Sequence, residues 1–221
     1  MILQLEGLTV RFGGVEALAG VDLHVARGQA LGLVGPNGCG KTTLFNAVSG
    51  VVRPAAGRVV FRGEDITAAP IHAIARHGIA RTNQTVRLFP TMTVADNVAR
   101  VDEPGTPGSF DHALEQTGLW ARRHALAGDL SLAEQRRLEI ARALARSPQV
   151  VLMDEPTSGL GPQDTDAMVR LLADTVLPNR SVILIEHKAD VLVALCPMAV
   201  LLDQGRNVKI CPPARLFETG A

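Results

Sequence analysis

The chain has 221 residues, 47% of them hydrophobic and 20% charged, which suits one large α/β domain or a core with a small appended subdomain. Its 22 Lys and Arg balance 22 Asp and Glu, so no broad basic footprint for nucleic acid exists and no nucleic-acid partner is expected. Tyr is absent and Trp occurs once, which leaves little surface for base stacking. Cys39, Cys196 and Cys211 are odd in number and widely spaced, neither a disulfide framework nor a metal cluster. A reduced compartment follows. Met1–Leu5 enters a strand-like pattern directly with no signal-peptide pattern, and no apolar run approaches the roughly 20 residues that a spanning helix needs.

Taken in order, residues 2–11 alternate loosely and predict an edge strand, broken by Phe12-Gly13-Gly14. Residues 21–25 predict a second short strand and residues 30–34 a buried one. Residues 58–61 predict a strand with a turn at 62–65, and residues 70–77 a short helix stopped by Gly78. Early antiparallel strands followed by a buried parallel set predict one mixed sheet. Residues 79–88 pass from strand to loop, and Thr93 is a candidate cap for a helix at 94–98. Residues 102–109 hold two prolines and two glycines, a clear interruption. Residues 110–119 and 120–126 read as short helices of a small lobe.

The second half is more regular. Ser131 followed by Glu134 predicts a capping box for a helix with an apolar stripe at Leu138, Ile140, Ala141, Leu144 and Ala145, stopped by Pro148. Residues 150–153 form an apolar strand ending in Asp154-Glu155. A helix over 162–175, a buried strand over 181–185 ending in Glu186-His187, and a terminal strand pair at 199–202 and 207–210 around Gly205 complete the chain. Apolar strands alternating with helices place the chemistry at the carboxyl ends of parallel strands. No internal repeat or coiled coil is present.

The most informative stretch lies between the strand at 30–34 and a helix predicted over 42–49. It reads Gly35, Pro36, Asn37, Gly38, Cys39, Gly40, Lys41, Thr42, with Thr43 following. This is the complete GxxxxGK[ST] pattern in its strand–turn–helix setting. Glycines let successive N–H groups curl around phosphate oxygens, and the helix N-terminus adds donors and its positive dipole end. Lys41 can reach the β and γ phosphates and Thr42 can place its hydroxyl on Mg2+. Cys39 reads as a small loop residue. The pattern says nucleoside triphosphate, not which one. Asp154 at a strand end can hold magnesium through its water shell, and Glu155 can polarise an attacking water. His187 either donates to a γ phosphate or is a satisfied structural histidine; the residues leave both open. His72 and His77 are five apart and share no close helical face, and no zinc site is assigned. The fold class expected is α/β, a P-loop NTPase core with a mixed sheet and a small, shortened helical subdomain: residues 1–90 and 136–221 as core, about 91–135 as lobe.

These motifs in this order resemble the nucleotide-binding subunits of ABC transporters over nearly the whole chain. The resemblance matches Gln84 to the glutamine loop and residues 130–135 to the signature, with Ser131, Leu132, Ala133 and Glu134 offered to a partner's nucleotide. It matches Ser158-Gly159-Leu160-Gly161 to the D-loop and His187 to the switch histidine. It implies ATP and Mg2+ as cofactors, with Phe12 a candidate adenine-stacking residue or simply an aromatic closing its strand, and Thr42, Gln84 and Asp154 as metal ligands. Glu155, His187 and Gln84 are then the catalytic set. It also implies a second nucleotide-binding subunit, identical or different, transmembrane permease subunits, and a substrate-binding protein engaged indirectly. The location implied is cytoplasmic, peripheral on the inner face of the membrane.

More narrowly the chain resembles ATPases of branched-chain amino acid uptake, through Arg11-Phe12-Gly13-Gly14, Arg87-Leu88-Phe89, Met92-Thr93-Val94 and residues 136–144. Urea or short amides are neighbouring cargoes. Departures stand at Ala133, where the family carries Gly, and Glu134, where Gln is common. Gly161 replaces an Asp frequent in other ABC ATPases. They raise an alternative, a binding-dominant subunit with a degenerate signature in an asymmetric transporter. A non-transport ATP switch is the other rival; it lacks the long coiled-coil insertion or tandem cores expected of DNA-repair or translation factors.

Overall fold

The computed structural model describes residues 1–100 and 109–217. The interruption expected at 102–109 falls almost wholly outside the described residues. The described residues form ten strands and eight α-helices. The strands are β1 Leu3–Phe12, β2 Val15–Val25, β3 Ala30–Val34, β4 Ala56–Phe61, β5 Glu64–Asp65, β6 Ile79–Arg81, β7 Val150–Asp154, β8 Ser181–Ile185, β9 Met198–Asp203 and β10 Arg206–Cys211. The helices are α1 Lys41–Val48, α2 Ile71–His77, α3 Val94–Ala99, α4 Ser109–Gln116, α5 Leu132–Leu144, α6 Pro162–Leu171, α7 Ala189–Leu195 and α8 Ala214–Phe217.

Two sheets result, not one. A six-stranded mixed sheet runs β10-β9-β3-β8-β7-β6, parallel except for β10. The early strands form their own antiparallel sheet, β2-β1-β4-β5. The expectation that early strands join the parallel set is therefore corrected; the antiparallel member is β10. Residues 2–11 are not an edge either, since β1 pairs with β2 on one side and β4 on the other. The sequence hides this because β2 begins at Val15, not residue 21, and its first half, Val15–Gly20, has small and charged residues instead of a strand-like alternation. The break at Phe12-Gly13-Gly14 is the hairpin turn, with Phe12 opposite Val15. Likewise the turn at 62–65 shrinks to Arg62-Gly63, because Glu64 and Asp65 pair back onto Phe61 and Val60.

Period two explains the layering. Leu31 and Leu33 of β3, Val150 and Leu152 of β7, and Ile183 and Ile185 of β8 point to a core shared with α1 and the antiparallel sheet. Their neighbours Ala30, Val34, Val151, Met153, Val182 and Leu184 point to the opposite core, under α5, α6 and α7. Strands buried on both faces read as continuous apolar runs, which is why these were found correctly. The helical lobe shares the second core: Val94, Val98, Ala113, Leu114 and Leu119 pack with Leu130 and Leu138.

Several helix boundaries differ from expectation. Only one 3-10 turn, Trp120–Arg122, stands where residues 120–126 predict a helix, and Gly118 at φ 68° ends the preceding segment. Helix α6 passes after Leu171 into a π turn, Leu172–Val176. Helices α7 and α8 are not predicted; both are short, and α7 follows directly on the segment of His187. Both capping boxes are present, Thr93 with Asp96 and Ser131 with Glu134.

Gly32 in β3 lets α7 and β9 close on the sheet. A Cβ there would stand 2.9 Å from Leu192 Cδ2 and 3.0 Å from Ala199 Cβ. Gly32→Val is expected to destabilise by about 1–3 kcal/mol through overpacking, read as a lower urea midpoint with unchanged slope.

Candidate nucleotide-hydrolysis site

The loop between β3 and α1 is shaped from below and open above. A Cβ at Gly35 would run into the Leu202 carbonyl, and one at Gly40, φ 112°, would stand 2.6 Å from Ala17 O. These two glycines let the loop lie against neighbouring strands. Gly38, φ 79°, faces the other way, where a Cβ would meet nothing within 4 Å. Helix α1 has no side-chain cap and no acidic residue in its first turn, so its first N–H groups are directed at the open side. The Lys41 ammonium arches back over the loop, donating to Gly35 O at 2.7 Å and Pro36 O at 2.9 Å. Cys39 is buried, its Sγ 4.0 Å from Lys41 Nζ.

The opposite wall comes from the ends of β7 and β8. Asp154 pairs with Ile185 in the parallel register, and Glu155 N–H donates to Ile185 O at 2.9 Å. Glu155 itself stands at φ 48°, a left-handed conformation that a non-glycine residue holds only under local constraint. Both of its carboxylate oxygens are engaged. Gln84 Nε2 donates to Oε2 at 3.2 Å, and His187 Nε2 lies 3.0 Å from Oε1. The buried Glu186 carboxylate supports this end, accepting from Thr157 Oγ1 at 2.9 Å and from the His187 N–H at 3.0 Å.

Asp154 is 3% exposed. Burial pushes its carboxyl above the usual carboxylate range, opposed by the Arg81 guanidinium, whose Nη2 is 3.4 Å from Oδ2, and more weakly by Lys41; Glu155 adds to the rise. Arg81 also donates to Asn46 Oδ1 of α1 at 2.6 Å, so one cation joins α1, β6 and β7 beneath the site.

Asn37, Gly38, Gly40, Lys41, Thr42, Thr43, Gln84, Asp154, Glu155 and His187 line a single cleft of about 320 Å³, together with Ile185. Gly35, Pro36 and Cys39 support the loop from behind the lining. Phe12, at the tip of the β1–β2 hairpin, is 51% exposed and does not line the cleft. Nor do Ser131, Leu132, Ala133 and Glu134, at the start of α5. Thr42, Asp154 and the Gln84 amide oxygen offer oxygen donors suited to a hard divalent cation. Among the described residues no group of three His, Cys, Asp or Glu could hold a metal ion.

Sequence reasoning assigns no role to Arg81, Arg136, Glu139 or Glu186, which hold the site in place. Arg136 Nη1 donates to Asn83 O at 3.2 Å, and Glu139 Oε1 accepts from Asn83 N–H at 2.9 Å, fixing the residue before Gln84. The available signal is a pair of charges three apart on a helix otherwise facing the core.

The fold and this cleft define a phosphate-loop ATPase domain. A family model described as ABC transporter matches residues 18–158. The high-affinity branched-chain amino acid transport ATP-binding protein BraF of Pseudomonas aeruginosa is 37% identical, over 92% of this chain and 89% of BraF. The lipopolysaccharide export system ATP-binding protein LptB of Acidithiobacillus ferridurans is 35% identical, over 98% and 92%. The crystal structure of a nucleotide-free ATP-binding cassette from an ABC transporter superposes with a TM-score of 0.87 at 28% identity, covering 96% of this chain and 91% of that one. The chain belongs to the ABC transporter family, as an ATP-binding and ATP-hydrolysing subunit. Among the described residues no helix is long and apolar enough to cross a membrane.

Burial raises the Glu139 carboxyl above its ordinary value of 4.5, against the pull of the Asn83 hydrogen bonds, Arg136 and Arg142. Folding therefore favours its neutral form. Its contribution to stability is largest below the ordinary value and declines as pH rises through the raised one, then stays level. Glu139→Gln keeps an acceptor for Asn83 and cannot ionise. Its stability relative to wild type is expected to rise with pH through that window and then plateau, measured by urea midpoints between pH ~4 and ~8. A pH-independent difference would contradict the assignment.

Proposed function

We propose that this chain energises an ABC importer for branched-chain or related amino acids, with Mg2+ bound beside ATP. The observation that carries the hydrolytic part is the convergence of Gln84 and His187 on the two oxygens of Glu155, across one cleft from Lys41 and Thr42. The cargo is supported by the likeness to BraF and by the stretches at 11–14, 87–94 and 136–144. The nearly equal likeness to LptB shows that overall identity alone does not select it.

Lys41 exchanges its two loop carbonyls for phosphate oxygens, an exchange that costs little because its stem is already placed. Thr42, Asp154 and Gln84 hold the cation, which neutralises charge on the phosphates when bound. Glu155 orients the attacking water, and His187, half-exposed beside it, donates toward the γ phosphate. Phe12, exposed on its hairpin, stacks on the adenine. The helical lobe, about residues 91–135, and a groove of about 330 Å³ lined by Ile71, Ile74, Ile79, Asn83, Arg87 and Arg142 receive the permease. That groove adjoins the segment of Gln84, giving a short route from membrane subunit to site. The subunit works at the inner face of the membrane, paired with a second nucleotide-binding subunit whose signature serine completes its site.

Glu155→Gln is expected to keep ATP affinity and to lower single-turnover hydrolysis by about a hundredfold or more. Lys41→Ala is expected to weaken ATP binding itself. Normal hydrolysis in Glu155→Gln removes Glu155 from the mechanism.

A second reading, an asymmetric pair in which this chain presents a weakened signature, rests on Ala133 and Glu134. One observation limits it. The Glu134 carboxylate is turned back on Ser131 N–H at 2.9 Å, and Arg122 Nε lies 3.4 Å from its other oxygen. Its charge is thus partly compensated, which leaves Ala133, 8% exposed, as the departure with no such compensation. In the assembled transporter carrying Glu155→Gln, adding Ala133→Gly is expected to raise residual turnover more than adding Glu134→Gln. No rise with either change excludes the asymmetric reading.

A further inference from the structure

The loop of residues 157–161, Thr-Ser-Gly-Leu-Gly, contains no charged side chain and two glycines, Gly159 at φ 78°. Its local hydrogen bonds are Ser158 N–H to Glu155 O at 3.1 Å and Leu160 N–H to Thr157 O at 3.2 Å, with Thr165 of α6 donating from its N–H to Gly161 O at 2.9 Å and from Oγ1 to Leu160 O at 3.5 Å. Its shape is fixed from outside by two cations. Lys188 Nζ donates to Thr165 Oγ1 at 2.8 Å, Thr157 O at 3.3 Å and Leu160 O at 3.4 Å, three acceptors for its three N–H bonds. From the other side Arg136 Nη2 donates to Ser158 O at 3.4 Å, while Nη1 holds Asn83.

Lys188 follows His187 directly, and the backbone N–H groups of both donate to Glu186 Oε1, at 3.0 and 3.4 Å. The other Glu186 oxygen accepts from Thr157 Oγ1. The loop and the segment of His187 are therefore joined twice, by a buried carboxylate and by the Lys188 ammonium. Glu186 ties the loop at one point only, through the Thr157 hydroxyl. Lys188 reaches the far end, at Leu160 and Thr165, and so sets how the whole loop lies relative to His187.

We infer that Lys188 is a positioning residue for the hydrolytic group Gln84, Glu155 and His187, acting by locking residues 157–161 to the strand end that presents His187. It does not line the cleft and touches no reacting group. Because the two glycines give the loop no stiffness of its own, removing the ammonium frees both the loop and, through Glu155 O and Thr157, the approach of His187 to Glu155. The inference rests on the hydrolytic roles proposed above for Glu155 and His187.

Lys188→Met keeps the length of the side chain and removes the three donors; Lys188→Arg restores donors. Lys188 and Leu160 are partly exposed, so water can serve the Leu160 carbonyl, whereas Thr157 and Thr165 are buried; Lys188→Gln, which keeps a polar end, is the substitute if Lys188→Met does not fold. Two measurements are made. In the nucleotide-free chain, hydrogen exchange of the Ser158 and Leu160 amides is expected to quicken about tenfold in Lys188→Met and to return toward wild type in Lys188→Arg. In ATP turnover at protein concentrations that allow pairing, kcat is expected to fall about tenfold with ATP affinity changed less than twofold. Unchanged exchange overturns the lock. Faster exchange with unchanged kcat overturns the positioning role. A loss of kcat accompanied by an equal loss of ATP affinity, or by a fall in thermal midpoint that Lys188→Arg does not correct, makes the residue merely structural and also overturns it. Since exchange is read without nucleotide, the lock is judged even if Glu155→Gln shows the hydrolytic reading to be wrong.

Discussion

The register of three parallel strands is the constraint on which the site depends. Leu33 of β3 stands opposite Ile185 of β8, and Asp154 of β7 opposite the same Ile185. With that alignment the three strand ends fall level, and the phosphate loop, Asp154-Glu155 and Glu186-His187 emerge side by side. A slip of one residue in β7 would turn Val151 and Met153 into the wrong core and carry Asp154 away from the loop. The apolar pattern that buries both faces is therefore the same information that aligns the chemistry. Stability and site geometry are not separable at these strands.

Among the described residues, the buried charges beneath the cleft each have a polar or charged partner. Asp154 has Arg81, Arg81 has Asn46, Glu139 has Asn83 and Arg136, and Glu186 has Thr157 and the backbone N–H groups of His187 and Lys188. An isolated buried carboxylate would shift its protonation or cost several kcal/mol. The contacts of Asp154 with Arg81, Arg81 with Asn46, Glu139 with Asn83 and Glu186 with Thr157 each join two different segments, which makes the polar layer a set of cross-links among strand ends, α1 and α5. That arrangement holds the cleft in a definite shape, with Lys41 resting on its own loop and Glu155 held by Gln84 and His187.

How much of this was legible in the sequence follows from locality. The phosphate loop, the acidic strand end and the capping box of α5 are each specified by residues within a few positions of one another, and all three stand where the sequence places them. The continuous apolar runs of β3, β7 and β8 gave the central sheet for the same reason. What escaped was non-local. The pairing of β1 on both edges depends on the first half of β2, where Glu16, Ala17 and Gly20 mask the strand and only its partner reveals it. Arg81, Arg136 and Lys188 are ordinary basic residues until folding brings within reach acceptors that lie 73, 53 and 23 positions away, at Asp154, Asn83 and Thr165. Helix α7 is seven residues long, too short for its period to separate it from a loop.

Ala133 and Glu134 show how a departure from a family pattern changes meaning once its surroundings are known. On sequence, a methyl and a carboxylate replace residues expected to approach a nucleotide, and both count against function. In the fold, Glu134 is the third residue of α5 and closes the capping box with Ser131, so its carboxylate is directed at the helix N-terminus and Arg122. The acid thus stabilises the same helix start that presents the Ser131 hydroxyl, by favourable interaction with the N-terminal dipole. Ala133 lies within the first turn at ordinary helical backbone angles, so no left-handed conformation is demanded of it. Of the two departures, the carboxylate is thus accounted for by the capping box and Arg122, and Ala133 is itself buried, 8% exposed.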